Sequence, residues 1–423
     1  MTDNKITGNK YCNENIYCGI DFGTSNSVIS ITDAKSLNEI FTYSDKSVLY
    51  YQKQGNSVFI GEEAQCKYVE EIMNGRLLKS IKTLLPQKDF MFTVINGKKV
   101  TPDQMVTHIL RHLKEKAEEV LGFNIETVTI GRPAIFSKDP KKEEMAKNRL
   151  VQAAKNAGFI NIILQLEPIA AALSYEKNIK NKEKVLIADI GGGTSDFTLA
   201  NLSPQKIGIS DRSKDIICNS GVYIGGDTFD SEIMWHKVTP MLGRGVQYKG
   251  ADALLDIPNT LYRELRNWEK SFLLKDCKAR RNIDKYYVFS GYSDKINNVR
   301  LLIDNNGTYS LFQEIEKAKI KLSSNQESDI IFTKFNMNLV TKLAYEEYKL
   351  IIKKHLDSIE SCVNEILDNS KCDIKDIDKL VLTGGSSLSR PIIDLFTNIF
   401  GKEKIYYNDV FHSVAYGLSL ANI

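Results

Sequence analysis

Two short stretches of this 423-residue chain combine an aspartate, glycine and hydroxylated side chains in the same order. The first is Asp21-Phe22-Gly23-Thr24-Ser25, and the second is Asp189-Ile190-Gly191-Gly192-Gly193-Thr194-Ser195-Asp196. Glycines let backbone N–H groups close on an anion while Thr or Ser adds a hydroxyl donor, so such a turn suits phosphate. An aspartate at the strand end before it can hold Mg2+, directly or through water, because Mg2+ takes few carboxylates and keeps waters and phosphate oxygens. One such turn alone would read as an ordinary hairpin with an aspartate turn-former. Two in one chain point to phosphate and Mg2+ chemistry, with Asp21 and Asp189 as the candidate metal-holding carboxylates.

Other phosphate motifs fit less well. A dinucleotide fingerprint needs its last glycine to open a helix, whereas Thr194-Ser-Asp-Phe-Thr-Leu-Ala-Asn-Leu alternates polar and apolar residues with a strand period. No Walker A sequence occurs. Each glycine turn is therefore expected between two antiparallel strands. Gly225-Gly226 follows the strand-like Ser220–Ile224 and suggests a strand-to-helix turn. Gly384-Gly385-Ser386 ends a buried strand-like run before a helical pattern from Arg390 to Phe400, and backbone lacking Cβ there could lie flat against a nucleoside.

The elements that must carry these turns are legible as an alternation. Strand-like runs lie at Tyr17–Ile20, Ser27–Ile31, Thr127–Ile130, Val185–Asp189 and Leu380–Thr383, and helical periodicity at Met105–Leu121, Lys142–Ala157, Ile169–Lys177 and Tyr345–Leu367. That pattern is α/β. Residues 17–30 and 186–199 repeat one scheme of strand, Asp, apolar residue, Gly, small hydroxylated residues and strand, which implies two related lobes. Lobe I is expected at 1–177 with 404–423 crossing back to it, and lobe II at 178–403 with a variable subdomain at about 232–340.

Composition narrows the classes. Lys+Arg number 56 against Asp+Glu 53, a net charge of +3 that gives no field for nucleic acid or an anionic membrane. No apolar window approaches a membrane span, and the polar first fifteen residues lack a secretory h-region. Seven scattered cysteines form no C-x-x-C, so a disulfide framework or zinc site is not expected and a reducing cytoplasm is. His108 and His112 stand at i, i+4, a spacing expected to mark a helix face rather than a metal site.

Taken together the motifs resemble the actin-like ATPase superfamily, which includes Hsp70, actin, bacterial actins and sugar kinases. Asp21–Ser25 and Asp189–Asp196 match its phosphate motifs and Val381–Ser387 its adenosine motif. Glu167-Pro-Ile-Ala-Ala-Ala-Leu-Ser-Tyr and Val414-Ala-Tyr-Gly-Leu-Ser-Leu-Ala match its two connecting helices. Pro168 suits a first helical turn, and the small residues Ala170–Ala172, Ala415, Gly417 and Ser419 permit a close crossing that makes a natural hinge. The text is most similar to the Hsp70 nucleotide-binding domain, through Gly131-Arg-Pro-Ala-Ile-Phe, Gly225-Gly-Asp-Thr-Phe-Asp and Glu316-Lys-Ala-Lys-Ile-Lys-Leu-Ser. Met241-Leu-Gly-Arg-Gly and Arg266-Asn-Trp-Glu-Lys look like the YegD-type branch, and the likeness covers about residues 16 to 421. It implies two duplicated ribonuclease H-like lobes around a cleft for ATP/ADP and Mg2+, with slow hydrolysis.

The resemblance also implies roles. Lys82 would contact the γ-phosphate and the attacking water, with Lys79, taken as one helical turn away, as competitor. Glu167 and Asp189 would arrange water and orient the nucleophile, Asp21 and Asp196 complete the acidic set, and Thr24, Ser25 and Thr194 donate to phosphate oxygens. Glu316, Lys319 and Ser323 would meet ribose and adenine. The nucleoside side departs from the family: Ile320 stands where an Arg stacks on adenine, Pro391 falls one residue late so that Arg390 is not expected to reach the base, and Phe411 replaces an acidic residue. Weaker or less base-selective binding is expected. The sequence stops at Ile423, just after the second connecting helix, so no peptide-binding β-sandwich is expected and the chain is read as a monomeric chaperone or switch acting on a client or regulatory protein. Aromatic residues interleave with Lys278, Arg280 and Arg281, but a variable subdomain explains them better than an RNA surface. A polymerising bacterial actin-like protein and a small-molecule kinase are the alternatives.

Overall fold

The computed structural model describes residues 11–421 apart from 56, 72–73, 207–211, 268–270, 272–273, 408 and 410–411. Phe411, singled out above, lies outside the described residues.

Ten strands form two sheets of the same design. The first contains β1 (Ile16–Phe22), β2 (Asn26–Asp33), β3 (Glu39–Lys46), β4 (Thr127–Arg132) and β5 (Asn161–Leu166), in the order β3-β2-β1-β4-β5. The second contains β6 (Glu183–Ile190), β7 (Ser195–Leu202), β8 (Ile216–Val222), β9 (Lys379–Thr383) and β10 (Ile405–Tyr407), in the order β8-β7-β6-β9-β10. In both, the first three strands run antiparallel and the last two join parallel to the first. The repeated hairpins seen in the sequence thus occupy the same inner place in each of two repeated sheets. β10 pairs in the second sheet although it lies past residue 404, so the return to the first sheet begins later, with the helix Ser413–Leu420.

Local signals set the flanking helices. The helix Pro102–Leu121 starts behind Thr101, whose N–H donates to Gln104 Oε1 at 3.0 Å, and stops at Gly122 in the left-handed region with φ 80°. Its Met105, Val106, Ile109, Leu110, Leu113 and Ala117 recur at helical spacing and join Ile20, Phe22 and Ile29 in the first core. The pattern expected as one helix over Tyr345–Leu367 is two, Tyr345–Ile351 and Lys353–Ser370. Tyr345, Tyr348, Ile352, Leu356 and Ile359 all face the second core, so a bend at Ile352 that keeps wrapping the same core leaves the apolar spacing unbroken.

Two helices exchange sides between the sheets. Glu167–Glu176 follows β5 of the first sheet, yet Ala170–Ala172 and Tyr175 pack with Val185, Ile187, Ala200 and Leu202 of the second. Ser413–Leu420 follows β10 but lies on β1 and β2, where a Cβ on Gly19 would stand 2.3 Å from the Ala415 carbonyl and Thr32 shares a hydrogen bond with Ser419. The helices touch at Gly417, where a Cβ would sit 1.8 Å from the Ala170 carbonyl. Among the described residues no helix is long and apolar enough to cross a membrane.

Candidate active site

The two glycine turns face each other across the join between the sheets. The β6–β7 turn closes through Gly191 N–H to the Thr194 carbonyl at 2.9 Å. A Cβ on Gly192 would stand 2.0 Å from Ser25 Oγ, and one on Gly193 would stand 3.2 Å from Thr24 Cγ2. A side chain at Gly192 would displace Ser25 Oγ, so glycine keeps the two turns in close contact. The β1–β2 turn is braced by Ser47 Oγ, which donates to the Gly23 carbonyl at 2.7 Å.

The third and fourth glycine pairs converge on the same place. The helix Gly226–Ile233 docks its N-terminus on the β6–β7 turn, with Gly226 N–H and Asp227 N–H donating to the carbonyls of Gly191 and Gly192 at 3.1 and 2.8 Å. A Cβ on Gly225 would meet the Gly192 carbonyl at 2.5 Å. Gly384, with φ 79°, ends β9 against Asp189, whose Oδ1 would lie 2.4 Å from a Cβ there. Gly385 and Ser386 begin the short turn that follows, and Ser386 Oγ faces Gly226.

Four carboxylates reach this centre from four element ends: Asp21 near the end of β1, Asp189 near the end of β6, Asp196 at the start of β7, and Glu167 as the first residue of its helix. Asp189 and Asp196 are register partners. One ammonium stands among them, Lys82, whose Nζ lies 2.8 Å from Glu167 Oε1. Burial alone would depress Lys82, but Glu167, Asp21 and Asp189 outweigh it and hold the ammonium above its ordinary value. Burial, then the charge of Glu167, pushes Asp21 up to about 7 against the pull of Lys82. Asp196 is raised to about 6, mainly by burial, and Asp189 far above its usual range by burial and by Asp21, Glu167 and Asp196. The centre therefore holds more buried negative charge than it neutralises, which calls for a cation. Among the described residues no three acidic, His or Cys side chains form a cage for a metal ion. The donor set fits a cation that keeps its waters and takes phosphate oxygens, as Mg2+ does.

Lys79 and Lys82 do not share a helix. Lys79 follows the strand Gly75–Leu78, Ser80 adopts a left-handed backbone with φ 57°, and Lys82 sits in the short turn Ile81–Leu84. The twist at Ser80 separates the two ammonium groups. Lys82 goes to the carboxylates, while Lys79 Nζ pairs with Asp227 Oδ1 at 2.8 Å in a cavity of about 400 Å³ that also holds Thr24, Ser25, Gly193, Glu316 and Arg266.

The remaining candidates divide between that cavity and its surroundings. Glu316 lines it, and Lys319 pairs with Asp230 Oδ1 at 2.8 Å and donates to the Gly226 carbonyl at 3.1 Å. Burial raises Asp230 to about 6 although Lys319 pulls it down. Ser323 is exposed just beyond the helix Thr308–Lys321, and Ile320 is 60% exposed. Arg390 turns away from the cavity: its guanidinium lies 3.9 Å from the Tyr345 ring centroid and donates to Gln326. Asp227 and Asp230 had no role in the sequence reading. Their spacing of three in the first turn of a helix after a glycine pair was the available signal.

A model of the Hsp70 protein family matches residues 17–242 and 287–422 and passes over 243–286. The chain is similar to the chaperone protein DnaK of Thermosipho melanesiensis, at 27% identity over 398 residues, covering 91% of this chain and 55% of that protein. It is also 27% identical over 405 residues to the chaperone protein DnaK of Ureaplasma urealyticum, covering 92% of this chain and 55% of the relative. That of Thermotoga neapolitana is 25% identical over 399 residues. The chain spans about half the length of the curated relatives it matches.

Proposed function

The chain belongs to the Hsp70 family, and we propose on that footing that it binds ATP with Mg2+ in the cleft between its two sheets and hydrolyses it slowly. One observation carries the reading: Lys82, paired with Glu167 and surrounded by Asp21, Asp189 and Asp196, stands where two phosphate-type glycine turns face each other.

The Mg2+ would neutralise charge on the phosphate oxygens and supply ordered water. Asp21, Asp189 and Asp196 would hold that water shell. Thr24, Ser25 and Thr194 would donate hydroxyls, and the turn around Gly191–Gly193 its N–H groups, to phosphate oxygens. Lys82 would face the terminal phosphoryl group and the nucleophile, with Glu167 and Asp189 orienting the attacking water. Rate acceleration of this kind comes from positioning and preorganised charge. Glu316 and Lys319 would meet the ribose and Ser323 the base. With Ile320 exposed and Arg390 committed to Tyr345, neither of these positions offers a cation to the base face, which supports weaker or less base-selective binding.

The nucleotide state would act on a client or regulatory protein through relative movement of a lobe built on residues 1–177 and one built on 178–403, hinged where the exchanged helices cross at Ala170 and Gly417. A monomeric, cytoplasmic chaperone is the form this reading favours. Membership of the Hsp70 family puts the filament-forming and small-molecule kinase readings behind it. Single-turnover hydrolysis of γ-labelled ATP with Mg2+, in the wild type and in Asp189→Asn, tests the proposal. Slow phosphate release abolished by the substitution is the expected result. Saturable ATP binding with no release would make the chain a nucleotide sensor instead.

A further inference from the structure

Glu167 and Asp196 reach the site from two elements that begin there and run away from it side by side. Glu167 is the first residue of its helix and Asp196 the second of β7. At their far ends the two elements are fastened together by groups for which the site has no use. Glu176, the last residue of the helix, is fully buried, and its two oxygens accept from both terminal nitrogens of Arg212 at 2.7 Å each. Its Oε1 also accepts the N–H of Ser203, the residue after β7, at 2.8 Å. Arg212 donates through Nε to Asp215 and through a terminal nitrogen to the Lys206 carbonyl, and Lys206 pairs with Asp215. Two cations and two carboxylates balance.

Burying such a network is weak evidence for stability, since well-packed apolar residues often serve as well. Its strength is geometric. Between the ends, Ile169, Ala172 and Leu173 of the helix face Thr198, Ala200 and Leu202 of the strand across a small pocket. Apolar contact of this kind is non-directional, so it resists separation more than sliding. A planar guanidinium gripping both oxygens fixes a carboxylate in two directions. Because the hydrogen-bonded helix is stiff along its axis, a shift at Glu176 arrives at Glu167.

We propose that the Arg212–Glu176 fork is a remote positioning device that sets the axial register of the helix on β7, and with it the placement of Glu167 against Asp196 and Asp189. Glu176 and Arg212 are positioning residues and touch no reacting atom. The helix is then tied to the second sheet at Glu176, although it continues a strand of the first.

The catalytic part of the test rests on the proposed ATPase reading, so one measurement is made without nucleotide. Arg212→Lys keeps the charge and loses the fork, Glu176→Gln loses the carboxylate, and Glu176→Asp retracts it by one methylene. In nucleotide-free full-length protein, well below each melting midpoint, amide hydrogen exchange should accelerate at the Gly191–Asp196 turn and at the start of the Glu167 helix. Acceleration confined to residues 203–215 would overturn the proposal. With ATP, single-turnover hydrolysis should slow about tenfold, as misplacement by a fraction of an ångström can cause, while the ATP Kd stays within about twofold. An unchanged rate with only a lowered Tm would also overturn it. If the wild type hydrolyses no ATP, the ATPase reading fails by itself and the exchange pattern still decides the fork's role. Should Glu176→Gln not fold, Arg212→Lys and Glu176→Asp carry both measurements.

Discussion

Replacing Asp21 by asparagine should stabilise the nucleotide-free protein while ending the proposed hydrolysis. The Asp21 carboxyl rises from 3.8 to about 7, through burial first and the charge of Glu167 second, against the pull of Lys82. A folded-state value above the unfolded one means that the stability this group contributes is present below about pH 4 and is lost as pH rises toward 7. At ~1.4 kcal/mol per unit, about three units amount to ~4 kcal/mol of strain above pH 7, of which less than half has accrued at pH 5. Asparagine has the same shape and no charge, so it lacks that strain; an amide group left without a hydrogen bond would cost about 1–3 kcal/mol in return. The net gain at pH 8 should be about 1–3 kcal/mol. It should shrink by ~3 kcal/mol on going to pH 5, a difference in which the fit of the amide cancels. Urea unfolding from pH 5 to 8.5 in EDTA, read as midpoint shifts at constant slope, makes the measurement. Saturating ATP with Mg2+ should reverse the order, since ligand stabilises only the form that binds it. A variant whose advantage does not change with pH would refute the account of charge strain, and with it the argument that the centre is built to receive a cation.

Three further outcomes follow from the geometry. Lys82→Ala should slow single-turnover hydrolysis by ~100-fold or more, whereas Lys79→Ala, which loses only the contact with Asp227, should stay within about threefold; the opposite ranking would reverse the assignment of the two lysines. Ile320→Arg should tighten ATP binding by ~0.5–2 kcal/mol through a stacked cation, measured by calorimetry against GTP, and an unchanged Kd would remove Ile320 from the explanation of base selectivity. Gly417→Ala should destabilise by more than ~3 kcal/mol because its methyl group meets the Ala170 carbonyl. Gly122→Ala, which meets nothing within 4 Å, should cost only the ~1 kcal/mol of its left-handed backbone; thermal melts of the two separate crowding from strain.

What could be read from the sequence was local. The period of two around Asp21 and Asp189 announces the hairpins, and the apolar spacing over Met105–Leu121 announces a helix, because those signals lie within a few residues of what they specify. The repeated sheet followed from the repeated hairpin. The rest depends on contacts with no local signature. Ser80 takes a left-handed conformation without being glycine, and that single residue decides which lysine enters the centre. The Lys79–Asp227 pair and the Arg390–Tyr345 stack join residues distant in sequence. Glu176 falls inside the helical pattern Ile169–Lys177 with nothing to single it out, since nothing near it in the chain foretells Arg212.

The exchange of helices between the sheets also bears on how the chain is made. β1 and β2 are among the first elements synthesised, yet the surface at Gly19 and Thr32 is covered only when Ala415 and Ser419 arrive, nearly four hundred residues later. Contacts that distant are slow to form, and apolar surface left open during the wait is prone to aggregation. The first sheet can gather its local helices early but cannot close. Its last piece is delivered by the second sheet, so the two halves should reach their final state together.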